Sequence, residues 1–348
     1  MNISKKYSVL GIMSGTSLDG IDLAICYFTN DNKWRFKIKK SATIKYPIYW
    51  KKKLSELHKK NKKIIAEVNL EYGKFIAENI NSFLNEKVDF IASHGHTIFH
   101  QPEKKYTLQI GDGKTIAKIT QTKTINNFRN LDVKLNGQGA PLVPIGDLHL
   151  FSDYKYCVNL GGFANVSIKK KEKIIAFDIC PVNIVMNKIC KQLNIEFDIN
   201  GNIAKKGKII TNLLNSLNNL SYYQKKHPKS LSREWVEEFI YPLFKENYKS
   251  EDLLNTFCEH IGMQIGSVLN DKVTIFTGGG VFNTYLMSRI LKYSKSKIFI
   301  PKKEIINFKE ALIFAFLAVL KTKNEINCLK SVTGAKKDSC VGEINNPL

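Results

Sequence analysis

Twice along this chain a strand-like apolar run stops at a glycine-rich turn and resumes as another strand, and that alternation restricts the fold more than any other feature. In the first copy, residues 7 to 28, YSVLGIM and IDLAICYF flank Gly15-Thr16-Ser17-Leu18-Asp19-Gly20. An Asp-Gly pair between apolar runs is a strong hairpin signal. The second copy has a strand from Cys157 to Asn159, a turn at Gly161-Gly162, and strands over residues 164 to 168 and 174 to 178. Between the copies, residues 50 to 86 carry helical periodicity through Ile64, Val68, Tyr72, Ile76, Ile80 and Phe83. A strand over 88 to 92, a turn over 93 to 96 and a strand over 106 to 110 follow. Later come a helix over 252 to 270, a strand over 273 to 276, a third glycine turn at Gly278-Gly279-Gly280, and a buried helix over 309 to 322, apolar nearly all round. The pattern predicts an α/β chain with a related unit in each half.

A chain of 348 residues exceeds one ordinary core and suits two lobes of roughly 130 to 200 residues. The expected division is a first lobe over residues 1–130, joined by the terminal segment 332–348, and a second over 131–331. With 43% hydrophobic and 24% charged residues the composition is globular. No apolar stretch approaches the length of a membrane span, and the first residues lead into turn chemistry rather than a cleavage site. A cytoplasmic protein without a membrane partner is expected. Seven scattered cysteines without C-x-x-C pairs point to reduced thiols rather than a disulfide framework or structural zinc.

A formal charge of +22 raises the question of nucleic acid. Of the 53 basic residues, however, 49 are lysines in short runs and only four are arginines. Base readout and phosphate forks favour arginine, so the lysines read as a solvated surface with at most a mild attraction for anions such as ATP, and no nucleic-acid partner is expected.

A turn of glycines and hydroxyls can present backbone N–H groups to phosphate oxygens. Three such turns, each after a strand, fit a nucleotide held between lobes better than three unrelated bends. Gly113-Lys114-Thr115 imitates the end of a P-loop, but the required first glycine falls on Leu108 and the pattern fails. Phosphoryl transfer needs a carboxylate and a metal on the phosphates. The acids placed at strand ends or helix starts are Asp19, Asp22, Asp178 and Glu310. His94 and His96, which share a face if the strand is regular, have no third ligand nearby and read as polar lining of a pocket rather than as zinc ligands.

At a finer level the residues are no longer generic. Gly11-Ile12-Met13-Ser14-Gly15-Thr16-Ser17-Leu18-Asp19-Gly20-Ile21-Asp22 resembles the opening signature of the anhydro-N-acetylmuramic acid kinase family. In order follow Ser93-His94-Gly95-His96-Thr97, Asn127-Phe128-Arg129 with Asp132, Gly137-Gln138-Gly139-Ala140-Pro141, Asn159-Leu160-Gly161-Gly162, Pro228-Lys229-Ser230, Gly278-Gly279-Gly280 with Asn283, Glu310-Ala311, and Val332-Thr333-Gly334-Ala335. These matches span nearly the whole chain.

The resemblance implies a two-lobed actin/hexokinase-like (ribonuclease H-like) fold with mixed sheets and an interlobe cleft. It implies ATP as cofactor, with Gly15, Thr16, Ser17, Leu18, Asp19, Gly20, Ile21 and Asp22 around its phosphates and Gly161, Gly162, Gly278, Gly279, Gly280 and Asn283 completing the site. Mg2+ would ride on the nucleotide near Asp19 without a protein cage. Asp178 is implied as catalytic base and Glu310 as an assisting carboxylate. His94, Arg129, Gly137, Gln138, Gly139, Ala140 and Pro141 would face a small amino-sugar substrate, with the guanidinium suited to a lactyl carboxylate. The implied reaction opens 1,6-anhydro-N-acetylmuramic acid with water and phosphorylates O6, in the recycling of cell-wall sugar; a homodimer is the expected assembly. One departure stands out: the family commonly reads Asp-Thr-Gly-Pro-Gly-Asn around its base, and here stands Asp178-Ile179-Cys180-Pro181-Val182-Asn183. Bulkier residues beside the base put the sugar's identity in question. The alternatives are a kinase of the same fold acting on a different amino sugar, or a non-catalytic actin-like ATP-binding protein.

Overall fold

The structure, a computed structural model, describes residues 5–15, 18–171 and 173–347. The chain forms two compact units, residues 1–150 with 308–348 and residues 151–307. The first takes strands β1 (Tyr7–Ser14), β2 (Gly20–Asn30), β3 (Trp34–Lys45), β4 (Phe90–Gln101), β5 (Tyr106–Ile110) and β6 (Thr124–Asn126). The second takes β7 (Tyr156–Leu160), β8 (Phe163–Lys170), β9 (Lys173–Pro181), β10 (Val273–Thr277) and β11 (Lys297–Phe299), and β12 (Glu343–Asn345) returns to the first.

In the first unit the sheet order is β12-β6-β4-β1-β2-β3, with β5 paired to β4. Strands β1 and β2 pair antiparallel as the Asp-Gly turn predicts, while β4 runs parallel to β1. Strict alternation along β2 buries both faces. Ile21, Leu23 and Ile25 join the core with Tyr72, Ile76 and Ile80 of the Lys62–Phe83 helix, and Phe28 lies on the opposite face with its ring 5.6 Å from Phe316 in the Lys303–Thr322 helix. That helix settles the unit boundary. A Cβ on Gly11 of β1 would lie 2.0 Å from the carbonyl oxygen of Ala311, an approach that only glycine permits. Residues 308–322 therefore belong to the first unit, and the boundaries fall at 150/151 and 307/308 rather than at 130/131 and 331/332. The apolar periodicity of a helix states that it is buried without stating against what.

Two local expectations also change. The turn expected over 93 to 96 is the interior of β4, where Gly95 at φ +74 forms a bulge and the register against β1 shifts. The helix expected over 309 to 322 begins at Lys303 and breaks at Phe308 (φ −113, ψ 16), so Glu310 lies early in the segment after the break.

The second sheet runs β11-β10-β7-β8-β9, with β10 parallel to both β7 and β11 and the β7-β8-β9 meander antiparallel. The Ser250–Val268 helix, expected over 252 to 270, contributes Leu254, Phe257, Ile261 and Ile265 to the core of this unit. Fully burying such a side chain contributes about 1.5–3 kcal/mol, against about 1 kcal/mol for a typical hydrogen bond, so apolar packing sets the frame and the turns ride on it. No helix of the described residues is long and apolar enough to cross a membrane.

Candidate active site

In the first unit the hairpin turn is fixed at its two ends. Ser14 closes β1 with its Oγ 2.6 Å from the hydroxyl of Tyr46, and the Tyr46 backbone N–H donates to Asp19 O over 3.4 Å. Tyr72 O–H also donates to Ser14 Oγ (2.9 Å), and His96 Nδ1 lies 3.1 Å from it. Leu18 adopts φ 60, a left-handed conformation that costs a side-chain-bearing residue roughly 1–2 kcal/mol and that surrounding structure must sustain. Of the residues expected to cradle phosphates, Thr16 and Ser17 lie outside the described residues; Gly15, Leu18, Asp19, Gly20, Ile21 and Asp22 do occupy the turn and the start of β2. Asp19 is exposed. Asp22 accepts from Thr43 Oγ1 at 2.5 Å; partial burial raises its carboxyl, the Thr43 bond opposes that, and Asp19 adds to it.

The bulge at Gly95 turns His94 and His96 to opposite faces of the sheet. His96 faces Tyr72 and Ser14, and burial lowers its imidazole to about 4. His94 packs on Phe314 with ring centroids 4.7 Å apart. The expectation that the two share a face therefore fails, because a positive φ between them cancels the period of two. Arg129 Nε donates to His94 Nε2 at 3.0 Å, so the histidine carries its proton on Nδ1, 2.8 Å from Gly95 O. Burial and the neighbouring Arg129 charge hold His94 well below its ordinary pKa, consistent with the neutral acceptor form. Arg129 Nη1 donates to Gly139 O at 2.7 Å. This joins three expected substrate-side elements, His94, Arg129 and the 137–141 segment, through direct hydrogen bonds. Gly137 and Gly139 are buried, while the side chains of Gln138 and Pro141 are exposed and Ala140 is half-buried.

Glu310 stays open to water. Surrounding protein raises its carboxyl, Arg129 and Lys309 pull it back, and Asp22 adds to the rise; solvent contact limits the shift. Next to it, Lys309 Nζ lies 2.8 Å from Asp147 Oδ1 in a buried ion pair. The expected assisting carboxylate thus shares its field with Asp22 of the turn and with Arg129.

In the second unit, Asp178 sits on β9 opposite Asn165 of β8. Its Oδ2 accepts the Leu231 backbone N–H at 2.9 Å, its carbonyl accepts the Tyr222 hydroxyl at 2.7 Å, and its own N–H donates to Lys229 O at 3.3 Å. Burial raises the carboxyl and the Leu231 bond opposes the rise. The Pro228-Lys229-Ser230 motif thereby acquires a structural meaning, since it carries the backbone that orients Asp178. Sequence reasoning missed Tyr222, Leu231 and Tyr46. Nothing in the local sequence marks them, because each acts through a partner at least 27 residues away.

The 178–183 segment leads from the carboxylate to the glycine turn. Val182 N–H donates to Gly162 O at 2.8 Å and Asn183 N–H to Gly161 O at 3.3 Å. Thr277 of β10 pairs with Asn159 of β7, which brings Gly278 to Gly280 against Leu160. Two of the three glycine turns therefore lie side by side at the carboxyl ends of β7 and β10. A Cβ on Gly279 would meet nothing within 4 Å, and one on Gly162 only Ile184 Cβ at 3.9 Å. That open backbone is a cradle a ligand's phosphates could enter. Asn283 Oδ1 is engaged, capping the Thr284–Tyr293 helix through Leu286 N–H. The unusual Ile179, Cys180 and Val182 are buried in the core of this unit, so their bulk is absorbed by packing. Among the described residues no group of three His, Cys, Asp or Glu is placed to hold a metal.

Residues 7–347 match the sequence profile of the anhydro-N-acetylmuramic acid kinases. An anhydro-N-acetylmuramic acid kinase of Bacillus cereus (strain Q1) is 34% identical, covering 97% of this chain and 99% of that protein. One of Francisella tularensis subsp. novicida (strain U112) is 35% identical, covering 98% of each. Component A of (R)-2-hydroxyglutaryl-CoA dehydratase from Acidaminococcus fermentans superposes with a TM-score of 0.45 at 13% identity, covering 89% of this chain and 96% of that one, a likeness too slight to bear on function. With a match of this extent along the full chain, this protein belongs to the anhydro-N-acetylmuramic acid kinase family.

Proposed function

We propose that this chain is an ATP-dependent phosphotransferase that opens 1,6-anhydro-N-acetylmuramic acid with water and phosphorylates O6, giving N-acetylmuramic acid 6-phosphate in the cytoplasmic recycling of cell-wall sugar. Family membership supports the reaction class. The observation that carries the assignment of roles is the carboxylate of Asp178, whose Oδ2 is held by the Leu231 N–H while its Oδ1 has no hydrogen bond among the described residues.

A base of this kind works better the more basic it is, within the limit that it stay ionised at the working pH. The burial that raises Asp178 serves that end. Asp178 takes one proton from water as the water oxygen bonds to the anomeric carbon and the C1–O6 bond breaks. Mg-ATP, when bound, would supply the phosphoryl group that O6 accepts, leaving as ADP, with the metal offsetting phosphate charge. In the second unit the paired turns at Gly161-Gly162 and Gly278 to Gly280 would hold phosphate oxygens on their open backbone; in the first, the turn from Gly15 to Asp22 is the other phosphate-binding candidate, and Asp19 is the exposed carboxylate there that would serve the metal. Arg129 orients the sugar's lactyl carboxylate, and Glu310 assists beside it.

The test is product mass. Incubation of the protein with Mg-ATP and 1,6-anhydro-N-acetylmuramic acid gives a product heavier by one phosphate and one water. Gain of phosphate without water means ordinary hydroxyl phosphorylation, as for a kinase acting on a different amino sugar.

A further inference from the structure

The Val332-Thr333-Gly334-Ala335 motif has no part in the chemistry above, yet it lies against the sugar-side segment through one buried carboxylate. Asp132 is fully buried. Its Oδ1 accepts the Thr333 hydroxyl at 2.7 Å and the Cys328 thiol at 3.1 Å, and its Oδ2 accepts the Gly139 N–H at 2.8 Å. Its backbone carbonyl accepts the Gly137 N–H at 2.8 Å, and Gln138 N–H donates to Thr333 O at 2.8 Å. Among the described residues, all three donors to the carboxylate are neutral. A buried carboxylate held only by neutral donors is costly, and a hydrophobic side chain would serve plain packing as well.

What the carboxylate provides is acceptance at both oxygens. Gly139 is gripped at its N–H by Asp132 and at its C=O by Arg129, so the position of Arg129 depends on that of Asp132. An amide in its place keeps an acceptor on the Gly139 N–H only by turning its NH2 toward Thr333 and Cys328, whose hydroxyl and thiol must then give up their bonds to the carboxylate and accept instead.

We propose that Asp132 is a positioning residue for sugar recognition, acting through Gly139 on the Arg129 guanidinium and braced from the C-terminal segment by Thr333 and Cys328. The proposal rests on the kinase reading above, in which Arg129 meets the lactyl carboxylate. It deepens that reading by naming what sets selectivity for a sugar bearing that group.

The experiment compares kcat/KM for 1,6-anhydro-N-acetylmuramic acid and for 1,6-anhydro-N-acetylglucosamine, which lacks the lactyl group, in the unaltered enzyme and in Asp132→Asn. The expected result is a roughly 10- to 100-fold loss on the lactyl sugar, a distinctly smaller loss on the analogue, and an ATP KM within about threefold of normal. Thr333→Val moves selectivity the same way by a smaller factor and Thr333→Ser restores it, which keeps the test open if Asp132→Asn does not fold. Equal losses on both sugars, or unchanged selectivity in a folded variant, overturn the proposal alone. Absence of turnover by the unaltered enzyme on either sugar overturns the kinase reading and the proposal with it.

Discussion

Arg129 Nε donates to Nε2 of His94 over 3.0 Å, and the same histidine is locked in its neutral form by burial and by that guanidinium. The pair aims the side chain proposed to meet the sugar. Replacing His94 by Ala removes an acceptor of a charged donor, a contact worth about 1.5–3 kcal/mol, so kcat/KM for the sugar is expected to fall about 10- to 100-fold with little change in ATP KM. His94→Gln, which keeps an acceptor, recovers part of the loss. Steady-state kinetics in both substrates check this; equal rises in the two KM values would refute it.

Asp178→Asn is expected to bind ATP normally and to lose turnover by about 10²- to 10⁴-fold. The acid limb of the unaltered enzyme follows from the raised carboxyl. Only the carboxylate accepts a proton, so the rate falls about tenfold per pH unit below its pKa, and the limb lies higher than that of an ordinary aspartate. A pH–rate profile flat through the carboxylate range would remove Asp178 from the role of base.

Two glycines separate fold from site. Gly11→Ala places a methyl 2.0 Å from the Ala311 carbonyl oxygen, and the forced shift should cost about 3 kcal/mol, the upper end of overpacking penalties, seen as a lowered unfolding midpoint. Gly279→Ala meets nothing within 4 Å, so stability should hold while ATP KM rises roughly tenfold or more, since the methyl occupies the proposed phosphate cradle. A Gly279→Ala enzyme with normal ATP KM would exclude that turn from the nucleotide site.

Acid should unfold the protein partly through two histidines. Burial lowers His96 to about 4 and His260 to about 3 from an ordinary 6.5. Their folded pKa values lie below the unfolded ones, so the unfolded chain binds more protons, and stability present above pH 6.5 is lost as pH falls toward these values. Each contributes a slope of up to about 1.4 kcal/mol per pH unit within its window. Urea titrations at pH 7, 5.5 and 4.5 check this. His260→Gln, which keeps a polar partner for Tyr223 or Asn218, should flatten the slope, and an unchanged slope would contradict it.

The sequence determined what neighbours along the chain decide. The hairpin of β1 and β2 follows from an Asp-Gly turn between apolar runs, the β7-β8-β9 meander from Gly161-Gly162, and the candidate base and glycine turns from motifs whose residues are adjacent. These signals are local because backbone conformation and strand pairing across a short turn depend on a few consecutive residues.

Only the tertiary structure decided the rest. Helical periodicity marked residues 309 to 322 as buried but could not assign them to the first unit, which depends on Ala311 meeting Gly11. Period-two reasoning put His94 and His96 on one face, and a single positive φ at Gly95 parted them. Asp132 meets Cys328 and Thr333 across 196 and 201 residues of chain. Side chains that distant become neighbours only when both sheets and helices have packed, and no local pattern encodes the pairing of a donor with an acceptor so far away.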